Sequence, residues 1–419
     1  MRTTALTAIE ILDSRGNPTV EVTLVDERNR RFGASVPSGA STGSREAVEL
    51  RDGNPDRYSG RGVLAAVGAV NTEIAALLTS RDWADLPELD DAVRSLDGTP
   101  TKSRLGANAI VGVSMAAARA FAADSGVELF EYLASDESEI RLPMPHFNVL
   151  NGGAHARNPL EFQEFMIAPL GAPTYPEALR WGAEVYAALR SGIAAEGLST
   201  GLGDEGGFAP DIADPHAACA LIVSAIEAAG FTPGPEGVAI ALDPAANGFF
   251  HNGGYRVSDR SLTPGELVDL YSDLVAEFPI WSLEDGCAEG DDAGWALLTE
   301  RLGTTTQLVG DDIFVTDPAT IAAAADAGIA NAALIKVNQI GTVTETLAAL
   351  RTCRERGYAA MISHRSGETT DTFIADLAVG SGCGQIKSGA PARGERVAKY
   401  NRLLGIDAST PDLAFGIGR

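Results

Sequence analysis

A closed (β/α) barrel preceded by a small α+β domain is the fold the sequence predicts, and three observations lead there. In the second half of the chain short apolar runs each end on a polar or charged residue: "VAIALD" at Asp243, "IWSLE" at Glu284, "TQLVGD" at Asp311, "AALIK" at Lys336, "AAMISH" at His364 and "CGQIK" at Lys387. These ends are 41, 27, 25, 28 and 23 residues apart, close to the ~30 residues of one strand–helix unit. Helical patterns fill the gaps, and apolar strands alternating with helices imply a parallel sheet covered on both faces. An open doubly wound sheet gathers ligands mainly at one crevice, whereas six successive strand ends of this kind suit a closed barrel, whose strand ends converge on one face.

The elements follow in order. "PTVEVTLVD" (18–26) alternates Val20, Val22 and Leu24 with polar residues, the period of a strand with one wet face. A polar turn at "ERNR" and the run "RFGASVP" complete an antiparallel pair. "GANAIVGVSMAAARAFAADSG" (106–126) is a helix, and "SDESEIRLPMP" (135–145) reads as a connection. It divides the chain into a domain of residues 1–136 and a barrel of residues 137–419. In "TPGELVDLYSDLVAEF", Leu267, Leu270, Tyr271, Leu274, Val275 and Phe278 keep the helical period, with Thr263 and Glu266 spaced as a capping box and Pro264 in the first turn. "DPATIAAAADAG" repeats the design, with Asp317 as N-cap and Gly328 at the exit.

Composition narrows the function. With 32 basic against 57 acidic residues among 419, the net charge of −25 argues against nucleic acid and anionic membrane as partners. An anionic substrate must be held by local cations or metals. Cys219, Cys287, Cys353 and Cys383 lie far apart without a C-x-x-C pair, so no disulfide framework or thiolate zinc site is indicated. A reducing cytosol fits, as do the absence of a signal-peptide core in "MRTTALTAIEILDSRG" and of any window near the ~18 apolar residues of a membrane span.

At the rim of a barrel, Asp243, Glu284 and Asp311 form a ring of three carboxylates. Each alone also suits a helix cap or a solvent-facing acid; three together repel unless a cation sits among them, and hard oxygen donors suit magnesium or manganese. Such metals, together with Lys387, lower the pKa of Lys336, as a lysine general base requires. Arg365, with Ser366 beside it in "SHRSGET", carries a fork suited to phosphate. "GDEGGFAP" (203–210) offers Asp204 and Glu205, and "NGGAHARNPLEFQEFMIAP" (151–169) offers His155, Gln163 and Glu164. His155 alone reads as a structural histidine and Glu164 alone as an exposed strand acid. "PSGASTG" (37–43) is either a surface turn or a lid whose Ser41 reaches a metal or phosphate.

Taken together, "ILDSRGNPTVEV", "VPSGASTG", "EAVELRDG", "KSRLGANAI", "NGGAHA", "QEFMIAP", "GDEGGFAP", "GDDIFVT", "LIKVNQIGT", "SHRSGET" and "QIKSGAPARGERVAKYN" resemble the motifs of the enolase family, in its order and over nearly the whole chain. The resemblance implies an N-terminal α+β capping domain on a modified (β/α)8 barrel, and magnesium-dependent dehydration of 2-phosphoglycerate to phosphoenolpyruvate with two Mg2+ per site. It implies Asp243, Glu284 and Asp311 on the first magnesium, Ser41 closing over a second, Lys336 as base and Glu205 as acid. Glu164 and His155 stand nearby, and Gln163, His364, Arg365, Ser366 and Lys387 hold the substrate. It also implies a cytoplasmic homodimer or higher homo-oligomer, with a secondary cell-surface pool as in the family. Glu205 is then protonated, a state that neighbouring Glu164 and Asp204 favour.

The chain departs from the family pattern at "AANGFF" after Asp243, where "AASEF" is usual, at Gly286 in place of proline, at "PMPHFN" in place of a methionine pair, and in a short segment after Phe250. These departures leave open a paralogue of the carboxyphosphonoenolpyruvate synthase type, acting on a related phosphonate. Intact Lys336, Glu205 and the three acids argue against a purely non-catalytic binding role.

Overall fold

The computed structural model describes residues 1–40, 43–134 and 139–418. The alternation read at 18–26 sets the sheet of the small domain. β1 (Thr3–Leu12), β2 (Pro18–Asp26) and β3 (Arg31–Ser35) form an antiparallel sheet in that order. Val20, Val22 and Leu24 are buried. β1 escapes the sequence reading because Thr and Ala blur its alternation and its register shifts between Thr3 and Ala5.

Two helices matter for the site. α1 (Leu86–Asp97) starts at Asp85, whose carboxylate accepts from Glu88 N at 2.8 Å. α2 (Ala107–Ser125) lies on the sheet so closely that a Cβ on Gly112 would stand 2.7 Å from Val22 Cγ2, so only glycine fits there.

Eight strands close the barrel: β4 (Met144–Asn151), β5 (Glu164–Ala168), β6 (Ala239–Asp243), β7 (Ile280–Glu284), β8 (Gln307–Gly310), β9 (Ala332–Ile335), β10 (Ala359–Ser363) and β11 (Gln385–Lys387). Around the cylinder they run β7-β8-β9-β10-β11-β4-β5-β6. The expected all-parallel sheet needs one correction: β5 is antiparallel to β4 and to β6. Residues 152–163 carry no helical period, and a parallel return needs a crossover of a dozen or more residues, usually a helix. The reversal makes Glu164 the first residue of its strand, yet leaves it at the rim opposite Asp243 and Asn151.

Helices α3 (Tyr175–Ala195), α4 (Pro215–Ala228), α5 (Pro264–Glu277), α6 (Asp292–Leu302), α7 (Pro318–Asp326), α8 (Val343–Glu355), α9 (Phe373–Ser381) and α10 (Gly394–Ser409) belong to the barrel domain. The start signals act as read: Thr263 and Glu266 form a reciprocal box, and Asp317 accepts from Thr320 N at 2.7 Å. The long first interval holds a small sheet of three short antiparallel strands within residues 250–262. Below the rim Val309, Ala332, Leu334 and Met361 fill the cylinder, making it a packed core rather than a pore.

The 136/137 boundary lies outside the described residues, and the connection is shorter than read, because Arg141–Leu142 pairs with Ala414–Phe415 and Met144 already opens β4. Among the described residues no helix is long and apolar enough to cross a membrane.

Candidate active site

Each apolar run ends where the periodicity put it. Asp243, Glu284 and Lys387 are the last residues of β6, β7 and β11; Asp311, Lys336 and His364 directly follow β8, β9 and β10. With Gln163, Glu164, His155, Glu205, Arg365 and Ser366, most of them line a narrow cavity of about 20 Å³, room for little more than one water. Arg365 also lines an adjoining cavity of about 290 Å³ between the small domain and the barrel.

One side of the site balances acids with ammonium groups. Lys387 Nζ donates to Glu284 Oε1 at 2.7 Å, Asp243 Oδ2 at 3.4 Å and Glu164 Oε2 at 3.5 Å. Lys336 Nζ donates to Asp311 Oδ2, whose other oxygen accepts from Gln339 Nε2 at 2.8 Å. Burial works against the charge of Lys387, but Glu164, Glu284 and Asp243 outweigh it and hold the ammonium well above its ordinary range. Burial and the charge of Asp243 push the Glu284 carboxyl well up.

The lowered pKa expected of Lys336 depends on a bound cation. Burial does lower it, and Arg365 and Lys387 add to that, yet the Asp311 carboxylate more than compensates and the amine stays above its usual value. A cation sharing Asp311 is what would release that proton.

The other side balances a carboxylate with neutral donors. Glu205 Oε2 accepts from Asn148 Nδ2 at 2.9 Å and faces His364 Nε2 at 3.3 Å, while Glu205 Oε1 is 3.6 Å from His155 Nε2. His155 Nδ1 stands 3.8 Å from Glu164 Oε1. Burial pushes the Glu164 carboxyl well up, helped by the charge of Glu205. Burial would raise Glu205 too, but His155, His364 and Arg396 hold it well below the ordinary range. Within the pair, burial favours the proton on Glu164, while the two imidazoles and a guanidinium near Glu205 favour its charge. Burial lowers both imidazoles, His364 to about 4.

Arg365 is reached from the small domain. Its guanidinium forms a fork on Glu46, at 3.0 and 3.1 Å, and donates to Asn338 Oδ1 at 3.0 Å. Arg15 donates to Ser366 Oγ at 3.1 Å and to the carbonyl of Gly39 at 3.0 Å. Ser38 and Gly367 exchange backbone hydrogen bonds at 2.7 and 2.8 Å, tying the start of the "PSGASTG" loop to the Arg365 loop. Ser41 lies outside the described residues.

The acids suit a hard divalent cation. Glu284 Oε2 is buried with no hydrogen-bond partner, a carboxyl oxygen that a metal would satisfy. Among the described residues the sets of three whose donor atoms come within 4.8 Å of one another are His155–Glu164–Glu205 and Asp285–Asp311–Asp312. Asp243, Glu284 and Asp311 are held by lysines instead, the first two by Lys387 and the third by Lys336. The carboxylates fit the metal as a donor set, with ammonium groups as the counter-ions it would displace.

Four residues that sequence reasoning missed brace the site. Asn148 holds Glu205, Glu46 holds Arg365 and Arg15 holds Ser366. Arg396, fully buried on α10, donates to the carbonyls of Arg365 and Ser366. A signal for the last was present: Arg396, Lys399, Tyr400, Leu403 and Ile406 share a helical stripe that is otherwise apolar.

The departures have structural partners as well. Asn247 donates to Asp312 Oδ2 and accepts from Glu289 N, each at 2.8 Å, and His146 packs on Trp281 with ring centres 5.4 Å apart.

Compared with known families, residues 3–133 match the model described as the enolase N-terminal domain, and residues 139–418 match that of the enolase C-terminal TIM barrel domain.

Proposed function

The chain belongs to the enolase family, and from that premise we propose that it is a hydro-lyase that reversibly dehydrates 2-phospho-D-glycerate to phosphoenolpyruvate. The observation that carries this reading is the gathering of Lys336, the Glu164–Glu205 pair and Arg365 around one buried cavity whose acids suit a divalent cation.

The chemistry sets the demands. Taking a proton from the carbon beside a carboxylate builds a second negative charge on an already charged group, so local cations are required. Asp243, Glu284 and Asp311 would hold one magnesium, with Ser41 serving a second; there the ions would supply positive charge for the growing anion and would favour a neutral Lys336. Lysine and magnesium are the general pattern for this superfamily.

Lys336, neutral, takes the proton at the second carbon. Arg365, with Ser366, holds the phosphate, for which its fork must exchange Glu46 for the substrate. Gln163, Lys387, His155 and His364 line the remaining wall. The hydroxide at the third carbon leaves with the proton shared by Glu164 and Glu205, delivered from Glu205. A small cavity that excludes water strengthens each of these interactions. A cytoplasmic homo-oligomer is part of the same proposal.

The test is direct. Purified protein with magnesium and 2-phosphoglycerate gives rising enolpyruvate absorbance, abolished by chelation. A parallel assay with a phosphonate analogue addresses the paralogue reading, which Asn247 and its contacts beside Asp312 favour. Turnover of the phosphonate with none of 2-phosphoglycerate replaces the first reading with the second.

A further inference from the structure

Among the described residues Arg396 is the largest charged side chain that is fully enclosed, and it lines neither of the two cavities at the site. One of its terminal nitrogens donates to His364 Nδ1 and, at 2.7 Å, to the carbonyl of Arg365. The other donates to the carbonyls of Ser366 at 2.6 Å and Asp204 at 3.2 Å. One guanidinium thus joins the loop that carries Glu205 to the loop that carries Arg365 and Ser366.

A guanidinium has five donors, no acceptor, and is never deprotonated in a protein. The ring nitrogen facing it must therefore offer a lone pair, so His364 Nδ1 carries no hydrogen. The ring hydrogen then sits on Nε2, which faces Glu205 Oε2 at 3.3 Å. A second proton on the ring would set one N–H against another. The charged groups around the imidazole are Glu205 on the 203–210 loop, Arg396 on α10 and Lys387 at the end of β11.

We propose that Arg396 is a positioning residue that locks His364 as the neutral Nε2–H tautomer and so decides which oxygen of Glu205 carries an acidic proton. Glu205 Oε2 accepts from Asn148 Nδ2 and faces His364 Nε2 at 3.3 Å, so a proton of its own there would be set against both donors. When Glu205 takes the proton it shares with Glu164, Oε1, the oxygen that faces His155, is the one free to carry it. This deepens the dehydratase reading and, as regards catalysis, rests on it; the tautomer itself does not.

The experiment uses full-length protein with 15N-labelled histidine, of which the chain has five, and two-bond proton–nitrogen spectra, with His364→Gln to assign the signal. Wild type is expected to show a neutral Nε2–H ring at pH 7, still neutral near pH 5. Arg396→Met, which removes every donor, is expected to mix the tautomers and to raise the ring's midpoint by a pH unit or more. With magnesium and 2-phosphoglycerate it should lower kcat about 100-fold, leave KM within about threefold, and add a new ionisation to the pH–rate profile. Arg396→Lys, which keeps a charged donor, is expected to restore the tautomer and part of kcat; it also decides the matter should Arg396→Met fail to fold.

A wild-type ring that is Nδ1–H or doubly protonated at pH 7 overturns the proposal, as does an Arg396→Met protein with unchanged tautomer and kcat. If wild type shows the expected tautomer but no dehydration, the assignment of the reaction falls and the Arg396–His364 lock stands.

Discussion

Glu284 and Glu205 are both buried carboxylates at the same rim, but their surroundings handle the charge in opposite ways. Glu284 meets an ammonium at 2.7 Å and shares it with Asp243 and Glu164, three acids to one cation. Glu205 meets an amide and two imidazoles held neutral by burial. The first arrangement crowds acids that burial holds toward their protonated forms and leaves an oxygen without a partner, a demand that a cation would meet. The second leaves a proton to be shared. Metal content is therefore the lever on one side of the cavity, and protonation on the other.

The largest expected effect breaks the cationic side. Lys336→Ala removes the proposed base and should lower kcat by at least about 10³-fold, measured by enolpyruvate formation in saturating magnesium; activity within tenfold of wild type would remove Lys336 from the chemistry. Lys387→Met is next. Breaking a buried pair costs about 3–5 kcal/mol, so urea unfolding in chelator should show a loss of that order. Added magnesium should then stabilise the variant more than wild type, because binding to the native state adds to stability and the competing ammonium is gone. Equal magnesium effects in both proteins would mean that Lys387 does not occupy cation space.

On the protonic side Glu205→Gln keeps the hydrogen-bonding outline and removes the proposed acid. A kcat lower by about 10²-fold is expected, within the usual range for acid–base groups. The smallest test asks whether burial alone behaves as it does at Glu164, using a carboxyl outside the cavity. Asp90 on α1 accepts from Thr344 N at 3.1 Å and Thr344 Oγ1 at 2.6 Å, and burial raises its pKa from 3.8 to about 6. For an acid raised on folding, the stabilising contribution is complete below the unfolded value of 3.8 and is lost as pH rises through about 6. The loss amounts to about 3 kcal/mol. Asp90→Asn should flatten that part of the stability curve between pH 4 and 6; an unchanged slope would show that Asp90 ionises freely when folded.

The same contrast decides what could be read from the chain. Asp243, Glu284, Asp311, Lys336, His364 and Lys387 were legible because each interrupts an apolar strand at its end, and a barrel turns that local interruption into a shared location. The reversed β5 was not legible from its own residues, since a buried strand looks alike in either direction; only the missing helix between Asn151 and Glu164 gives it away. The proton's place could not be read either. Sequence proximity pairs Glu205 with Asp204, whereas the groups that hold its charge, His155, His364 and Arg396, come from three other segments. Glu46 and Arg15 stayed hidden for the same reason, because their partners Arg365 and Ser366 lie more than 300 positions away.

The most direct test of a base on one side and an acid on the other separates the two proton transfers. 2-Phosphoglycerate carrying deuterium at the second carbon is incubated with magnesium and each variant, and loss of the label to water is followed by NMR alongside product formation. Glu205→Gln is expected to exchange the label while making little phosphoenolpyruvate, and Lys336→Ala to do neither. Exchange that survives in Lys336→Ala and disappears in Glu205→Gln would contradict the assignment of the two sides.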